Sequence, residues 1–255
     1  MATMGELTVG EIIELKVGTK KQNFIVVHQG NPDTSKYDSS CDGTWLMMEK
    51  LYYKQTWSIT KAEYVDSYHN NYLNNNFFNL LDAKIQEAIK QVKIPYTFYG
   101  EGVYIGTLLT GADGLSTKIF LPSYAEISNT LDSTARIDGA VLDYFKNATN
   151  SNRILRYNNT VTAWWTRSPI TENSGSAWYV TTSGSIDKKS VSYAYGGRPT
   201  FILPSDFSLG GAIKGSVNIG GTYKELVGGH VNIGGTWKEI CGSYVNIGGT
   251  WKQTF

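Results

Sequence analysis

Val161-Thr162-Ala163-Trp164-Trp165-Thr166-Arg167-Ser168-Pro169 is the stretch on which the fold turns. Its β-branched and aromatic residues suit a pleated, mostly buried strand. Ala177-Trp178-Tyr179-Val180-Thr181 follows with a similar composition, and Gly184 supplies a turn. The two-residue period of a strand sends Trp178 and Val180 to one face, Tyr179 and Thr181 to the other. The first pair belongs in a core. The second pair is free to meet a ligand. A further strand is expected over residues 191–195. Gly196-Gly197-Arg198-Pro199 then leads into a last strand, Thr200-Phe201-Ile202-Leu203.

Toward the N-terminus, residues 7–15 and 24–28 read as strands with a turn at Gly18-Thr19-Lys20-Lys21, and residues 44–48 as another. Thr60-Lys61-Ala62-Glu63 has capping-box spacing and predicts a short helix toward Tyr68. Residues 82–92 place Ile85, Ala88, Ile89 and Val92 on one helical face, and Pro95 stops the run. Residues 108–121 predict one or two short strands broken at Gly111-Ala112-Asp113-Gly114. Ser123-Tyr124-Ala125-Glu126 repeats the capping spacing, and residues 140–146 read as one more short helix.

Toward the C-terminus, Pro204-Ser205-Asp206 and Gly210-Gly211 mark a boundary. Beyond it, Val217-Asn218-Ile219-Gly220-Gly221-Thr222-Tyr223-Lys224 recurs from Val231 and again from Val245, a 14-residue period. A strand, a Gly-Gly turn and an aromatic-Lys strand start make a β-hairpin the natural form of each unit. Units this short bury a core only by stacking or by packing on a partner. The expected organisation is therefore a ligand-binding domain over 1–204 and a Gly-rich linker with three repeats over 205–255.

Composition narrows the function classes. The 255 residues are 41% hydrophobic and 18% charged, which is globular rather than disordered. Lys+Arg of 23 against Asp+Glu of 22 leaves a formal net charge of +1. That balance offers no electrostatic case for nucleic acid or for an anionic membrane. No apolar run of about 18 residues is present to span a bilayer. The start, Met1 to Glu6, lacks the basic-then-apolar pattern of a secretory signal. Synthesis in the cytoplasm, and exit only as part of a particle or by lysis, is the expectation. The 17 Tyr, 7 Trp and 27 Gly suit short strands, tight turns and an aromatic-rich recognition surface.

Chemistry-bearing residues are sparse. His28, His69 and His230 share no zinc spacing, and Cys41 and Cys241 are too few for a disulfide framework or a structural zinc site. Both cysteines read as free thiols, and Cys41 has no histidine partner in view. Asp33, Asp38, Asp42 and Glu49 crowd one region. A glycosidase pair is one reading of them, and a solvated Gly-bearing loop is the preferred one. The segment 38–43 lacks the oxygen spacing of a calcium loop. No metal and no cofactor are expected. Arg167 and Arg198 are each expected to be buried against a carboxylate.

Trp-Trp-x-Arg-Ser-Pro at 164–169, Ala177-Trp178-x-Val180, Gly184, and Tyr195-Gly196-x-Arg198-Pro199 together resemble a family of domains found in phage and prophage tail proteins. Earlier segments, Phe24 to Pro32, Tyr37 to Leu46 and Val92 to Tyr96, join the resemblance, which covers about residues 7–204. The repeats from Val217 look like those appended to tail and fibre proteins. The family is related to C-type-lectin-like folds, which include the variable proteins that diversity-generating retroelements mutate and the formylglycine-generating enzymes. The resemblance implies an α+β fold, a C-type-lectin-like domain of twisted antiparallel sheets with short helices, followed by the hairpin repeats. It also implies a binding surface in the C-terminal part of the domain. The enzyme branch needs late cysteines, and none falls between Asp42 and Ile240.

Between Thr171 and Tyr195 the residues outside the family pattern are mostly Ser, Thr, Asn, Asp, Lys and Tyr, an alphabet of adaptable polar groups and rigid aromatics. The candidate ligand-binding set is Glu172, Asn173, Tyr179, Thr181, Ser185, Asp187, Lys188, Ser190, Ser192 and Tyr193. The expected function is non-enzymatic recognition of a host-surface protein or glycan by a virion tail component. Its repeats would meet other tail components, and self-association is left open. The rivals are a hydrolase of cell-surface polysaccharide and a purely structural tail component.

Overall fold

The computed structural model describes residues 3–59, 63–99, 106–133, 135–170 and 173–209, and the strands of the C-terminal repeats. Residues 173–174 and the repeat strands are described by their backbone paths. Trp164–Ile170 lies at the centre of a five-stranded sheet, and all seven of its residues are buried. Across that sheet the strands run Ile186–Ser190, Asn173–Val180, Trp164–Ile170, Ala194–Gly197 and Tyr53–Thr56. Trp164 pairs with Val180 and Trp165 with Tyr179 in antiparallel register, whereas Trp164 meets Gly196 in parallel. The register then shifts before Pro169, which has no amide hydrogen to give the ladder. The Arg167 amide leaves the ladder too and donates to the Pro122 carbonyl.

A second five-stranded sheet is antiparallel throughout, in the order Ile12–Val17, Lys20–Gln29, Thr44–Met48, Thr200–Leu203 and Ile119–Phe120. Ile12–Val17 alternates exposed and buried residues, so one of its faces is wet. Thr44–Met48 and Thr200–Leu203 are buried along their whole length. Aromatic rings fill the interior: Trp45 sits edge-on to Tyr37 and Phe120, and Phe24 packs on Phe201. The architecture is a mixed α+β fold of mostly antiparallel sheets, with three short α-helices among the described residues. No described helix is long and apolar enough to cross a membrane.

The helices depart from the sequence expectation in instructive ways. The predicted helix opening at Thr60 is not seen over residues 63–67, and Thr60 to Ala62 lie outside the described residues. The helix begins seven residues later as Tyr68–Tyr72, capped by Ser67, whose side chain accepts from the Asn70 amide. Buried Glu63 and Tyr64 hold the preceding turn inside, with the Tyr64 hydroxyl accepting from the Leu121 amide. A π-helical turn, Leu73–Phe77, continues the run. The second helix stops at Ala88, because Val92 leaves it for the strand Val92–Ile94, paired with Leu115–Thr117. Ser123 and Glu126 do form a capping box, on the helix Tyr124–Ile127. Residues 140–146 hold only the 3-10 turn Asp143–Phe145. No strand spans 191–195: Val191 to Tyr193 form a turn between Ile186–Ser190 and Ala194–Gly197.

Residues 5–205 form one compact unit, and the chain from Asp206 onward falls in a second. In the second, each 14-residue repeat is an antiparallel pair: Gly215–Ile219 with Thr222–Leu226, His230–Ile233 with Thr236–Glu239, and Tyr244–Ile247 with Thr250–Gln253. Cys241 and the intervening Gly-Gly positions lie outside the described residues.

Candidate recognition face

Tyr179 is half-buried, with Trp165 as its cross-strand partner and the Trp165 ring 5.8 Å away. Trp165 is fully buried and stands edge-on to Trp57 at 5.5 Å. From this buried base an aromatic series climbs to the surface. Tyr195 lies 5.0 Å from Trp165, Tyr179 stacks on Tyr195 at 4.8 Å and 18°, and Tyr193 stacks with Tyr195 at 6.1 Å and 29°. Tyr193 is 48% exposed. Its carbonyl accepts from the Trp165 indole, which ties the turn to the core. Lys189 lies 4.4 Å above the Tyr193 ring, a cation–π contact that keeps the ammonium on this face. Burial, and then the charge of Asp187, raises the Tyr179 hydroxyl pKa, so it stays protonated at neutral pH.

The predicted site residues do not all share this face. Tyr179 and Asp187 are register partners on it, and Tyr193 joins them. Lys188 is opposite Trp178 instead, with its ammonium 4.8 Å over that ring and 3.6 Å from Asp132. Trp178 is buried against Tyr124 on the reverse of the sheet, so Lys188 belongs to that side. Alternation puts Ser190 with Lys188. Both therefore lie on the opposite side of the sheet from Tyr179, because the strand period that separates Tyr179 from Trp178 separates their partners too. Thr181 and Ser185 form a hydroxyl trio with Ser183 at the hairpin tip, with separations of 2.8 to 3.1 Å. Ser192 is exposed in the turn, 3.0 Å from Ser190. Asn173 starts its strand, and Glu172 lies outside the described residues.

Sequence reasoning missed three contributors. Tyr195 was counted only as part of the family pattern, although its two-residue spacing from Tyr193 is a same-face signal. Lys189 follows from the alternation with Asp187. Arg153 carried no local signal at all. Its guanidinium donates to the Gly184 and Ile127 carbonyls and to the Asn150 side chain, and so fixes the hairpin tip.

Beneath the face, Arg167 and Glu126 form a fully buried bidentate pair, both contacts 2.6 Å. Arg167 also donates to the carbonyls of Pro95, Leu121 and Asp138, and Tyr37 donates to Glu126. Arg198 departs from expectation. It faces no carboxylate in an ion pair but lies between the rings of Phe145 and Trp164, donating to the Met48 carbonyl. Nη1 of Arg198 has no hydrogen-bond partner among the described residues, and burial pulls its pKa down to about 10.

The remaining reactive types are occupied structurally. Burial pushes the Cys41 thiol up to about 12, and its Sγ faces the Lys93 carbonyl. Burial holds His69 down to about 3, with Nδ1 against the Tyr53 hydroxyl. His28 lies 2.8 Å from Asp143 and is lowered by burial. The side-chain positions of His230 are outside the described residues. Asp33 is bound by Ser35 and Lys36, Asp38 caps the turn Ser39–Cys41, and Glu49 accepts from Asn23. Among the described residues no group of three or more His, Cys, Asp or Glu is placed to hold a metal ion.

No curated protein and no solved structure matches the chain. Residues 42–205, which run from the loop before Thr44–Met48 to the end of Thr200–Leu203, match a family model described as a domain of unknown function, DUF6273. The chain belongs to the DUF6273 family.

Proposed function

We propose that this protein is a non-enzymatic ligand-binding component of a phage or prophage tail, with a C-type-lectin-like domain that recognises a host-surface protein or glycan. The observation that carries the reading is the stacked series Tyr193, Tyr195 and Tyr179 on buried Trp165. Rigid rings bring large contact area with few rotatable bonds, and their ordering is complete before a ligand arrives. Lys189 and Asp187 add one charge of each sign beside the rings. The sequence resemblance supports the tail assignment, kinship with retroelement-diversified variable proteins, and docking of the repeats to other tail components. The chemical idleness of Cys41 and His69 supports a non-covalent role.

The test is binding of the full chain to host cells. Tyr193→Ala is expected to weaken binding by about 1–3 kcal/mol as an aromatic anchor, while Thr8→Ala on a remote surface leaves it unchanged. Equal binding by both variants overturns the face. Release of reducing sugar from host envelopes overturns the non-enzymatic reading.

A further inference from the structure

Four segments distant in sequence converge on a groove of about 790 Å³ that shares no residue with the tyrosine face. One is the turn after Ile12–Val17, which brings Lys20. The second is the loop after Thr44–Met48, with Lys50 and Tyr52. The third is the small hairpin Arg156–Tyr157 with Thr160–Val161, and the fourth is the helix Tyr68–Tyr72, which brings Tyr72. The Leu51 amide donates to the Arg156 carbonyl, so the loop and the small hairpin are held together.

The charge of the groove is one-sided. Lys20, Lys50 and Arg156 line it, and no carboxylate does. None of the three is in an ion pair among the described residues, whereas Lys16, Lys21, Lys36 and Lys146 each have an acidic partner. In a chain of net charge +1, an unmatched trio in one concavity is a local excess that an anion would satisfy. Arg156 donates through Nη1 to the Asn159 carbonyl, which leaves further guanidinium donors for a ligand. Asn158 and Asn159 both have left-handed φ, 48° and 66°, the conformation of a tight hairpin turn, and they place two amide side chains on the rim.

The rings decide what the anion is attached to. Tyr52 already rests edge-on against Phe77 at 4.9 Å, and Tyr72 packs tilted on Tyr53 at 4.3 Å. Each therefore has one side committed to the protein, which suits a sugar ring lying on a platform better than a base sandwiched between two rings. The volume falls within the range of small-ligand sites and exceeds what a bare phosphate fills.

We infer that this groove binds an anionic sugar, a saccharide bearing a phosphate, with Lys20, Lys50 and Arg156 on the phosphate and Tyr52, Tyr72 and Tyr157 beside the ring. The site goes beyond the recognition role proposed above and does not depend on it.

The experiment is an NMR titration of the full-length protein with glucose 6-phosphate, in parallel with glucose, inorganic phosphate and AMP. Saturable shifts confined to the groove are expected with glucose 6-phosphate, weakening as salt is raised. Lys50→Ala is expected to reduce that affinity about tenfold, as loss of one charge-assisted hydrogen bond, and Lys20→Ala combined with it to reduce it further. Both lysines are exposed and form no ion pair among the described residues, so these variants keep the fold, which unfolding midpoints check. Tyr193→Ala serves as the control and leaves the titration unchanged. Absence of saturation, equal affinity for glucose, equal affinity for inorganic phosphate, tighter binding of AMP, or indifference to the double variant each overturns the assignment.

Discussion

Asp138→Asn is expected to make this protein more stable at neutral pH, and less pH-dependent. Asp138 is fully buried beside Arg167, whose charge is already matched by the bidentate carboxylate of Glu126. A second carboxylate in the same dry space has no unshared cation. Burial therefore raises its pKa from 3.8 to about 6, against the opposing pull of the Arg167 charge. At about 1.4 kcal/mol for each tenfold change, the shift is worth about 3 kcal/mol. The folded pKa lies above the unfolded one, so the fold binds the extra proton between roughly pH 4 and 6. The wild type is then expected to lose stability as pH rises through that window and to level off above it. Asparagine cannot ionise and escapes the loss. Urea denaturation across pH 4 to 7.5 reads the effect as the variant's advantage growing by about 3 kcal/mol toward neutral pH, with the m-value unchanged. A difference that stays constant across the window, or that shrinks toward neutral pH, refutes the reasoning.

Other expectations are more local. Glu126→Ala removes both hydrogen bonds of the buried Arg167–Glu126 pair and the Ser123 capping partner, and is expected to cost about 3–5 kcal/mol in chemical denaturation. Gly184→Ala is expected to cost about 2–4 kcal/mol, because Gly184 has φ of +80° and an added Cβ would strike the Asn150 carbonyl; an unchanged melting temperature contradicts this. Tyr193→Ala should move stability by less than about 1 kcal/mol, since the ring is half-exposed at the rim of the stack. In a Cys241→Ser background, Cys41 should react with iodoacetamide at pH 8 only after denaturant is added, because burial holds its thiol near 12.

Much of this was legible along the chain. Alternation at Trp178 to Thr181 placed Trp178 in the core and Tyr179 on the opposite face, because strand geometry depends only on neighbouring residues. The Gly-Gly repeats read as hairpins for the same reason, and the backbone pairs at 14-residue intervals. The Ser123–Glu126 capping box is likewise closed within four residues. The helix expected from Thr60 shows the limit. The capping spacing was present, yet the inward pull of Tyr64 and the better-placed Ser67 moved the start to Tyr68.

What tertiary structure decided was which distant residues meet. Arg167 finds Glu126 from 41 positions away, while Arg198 lies over the rings of Phe145 and Trp164 and makes no ion pair among the described residues. The pairing register split Lys188 from Tyr179, because it set Lys188 opposite Trp178 and Asp187 opposite Tyr179. The groove holding Lys20, Lys50 and Arg156 has no signature in sequence at all. Local patterns are set by steric and hydrogen-bond rules of a few residues. Charge matching and cavity shape depend on chain crossings that no local pattern encodes.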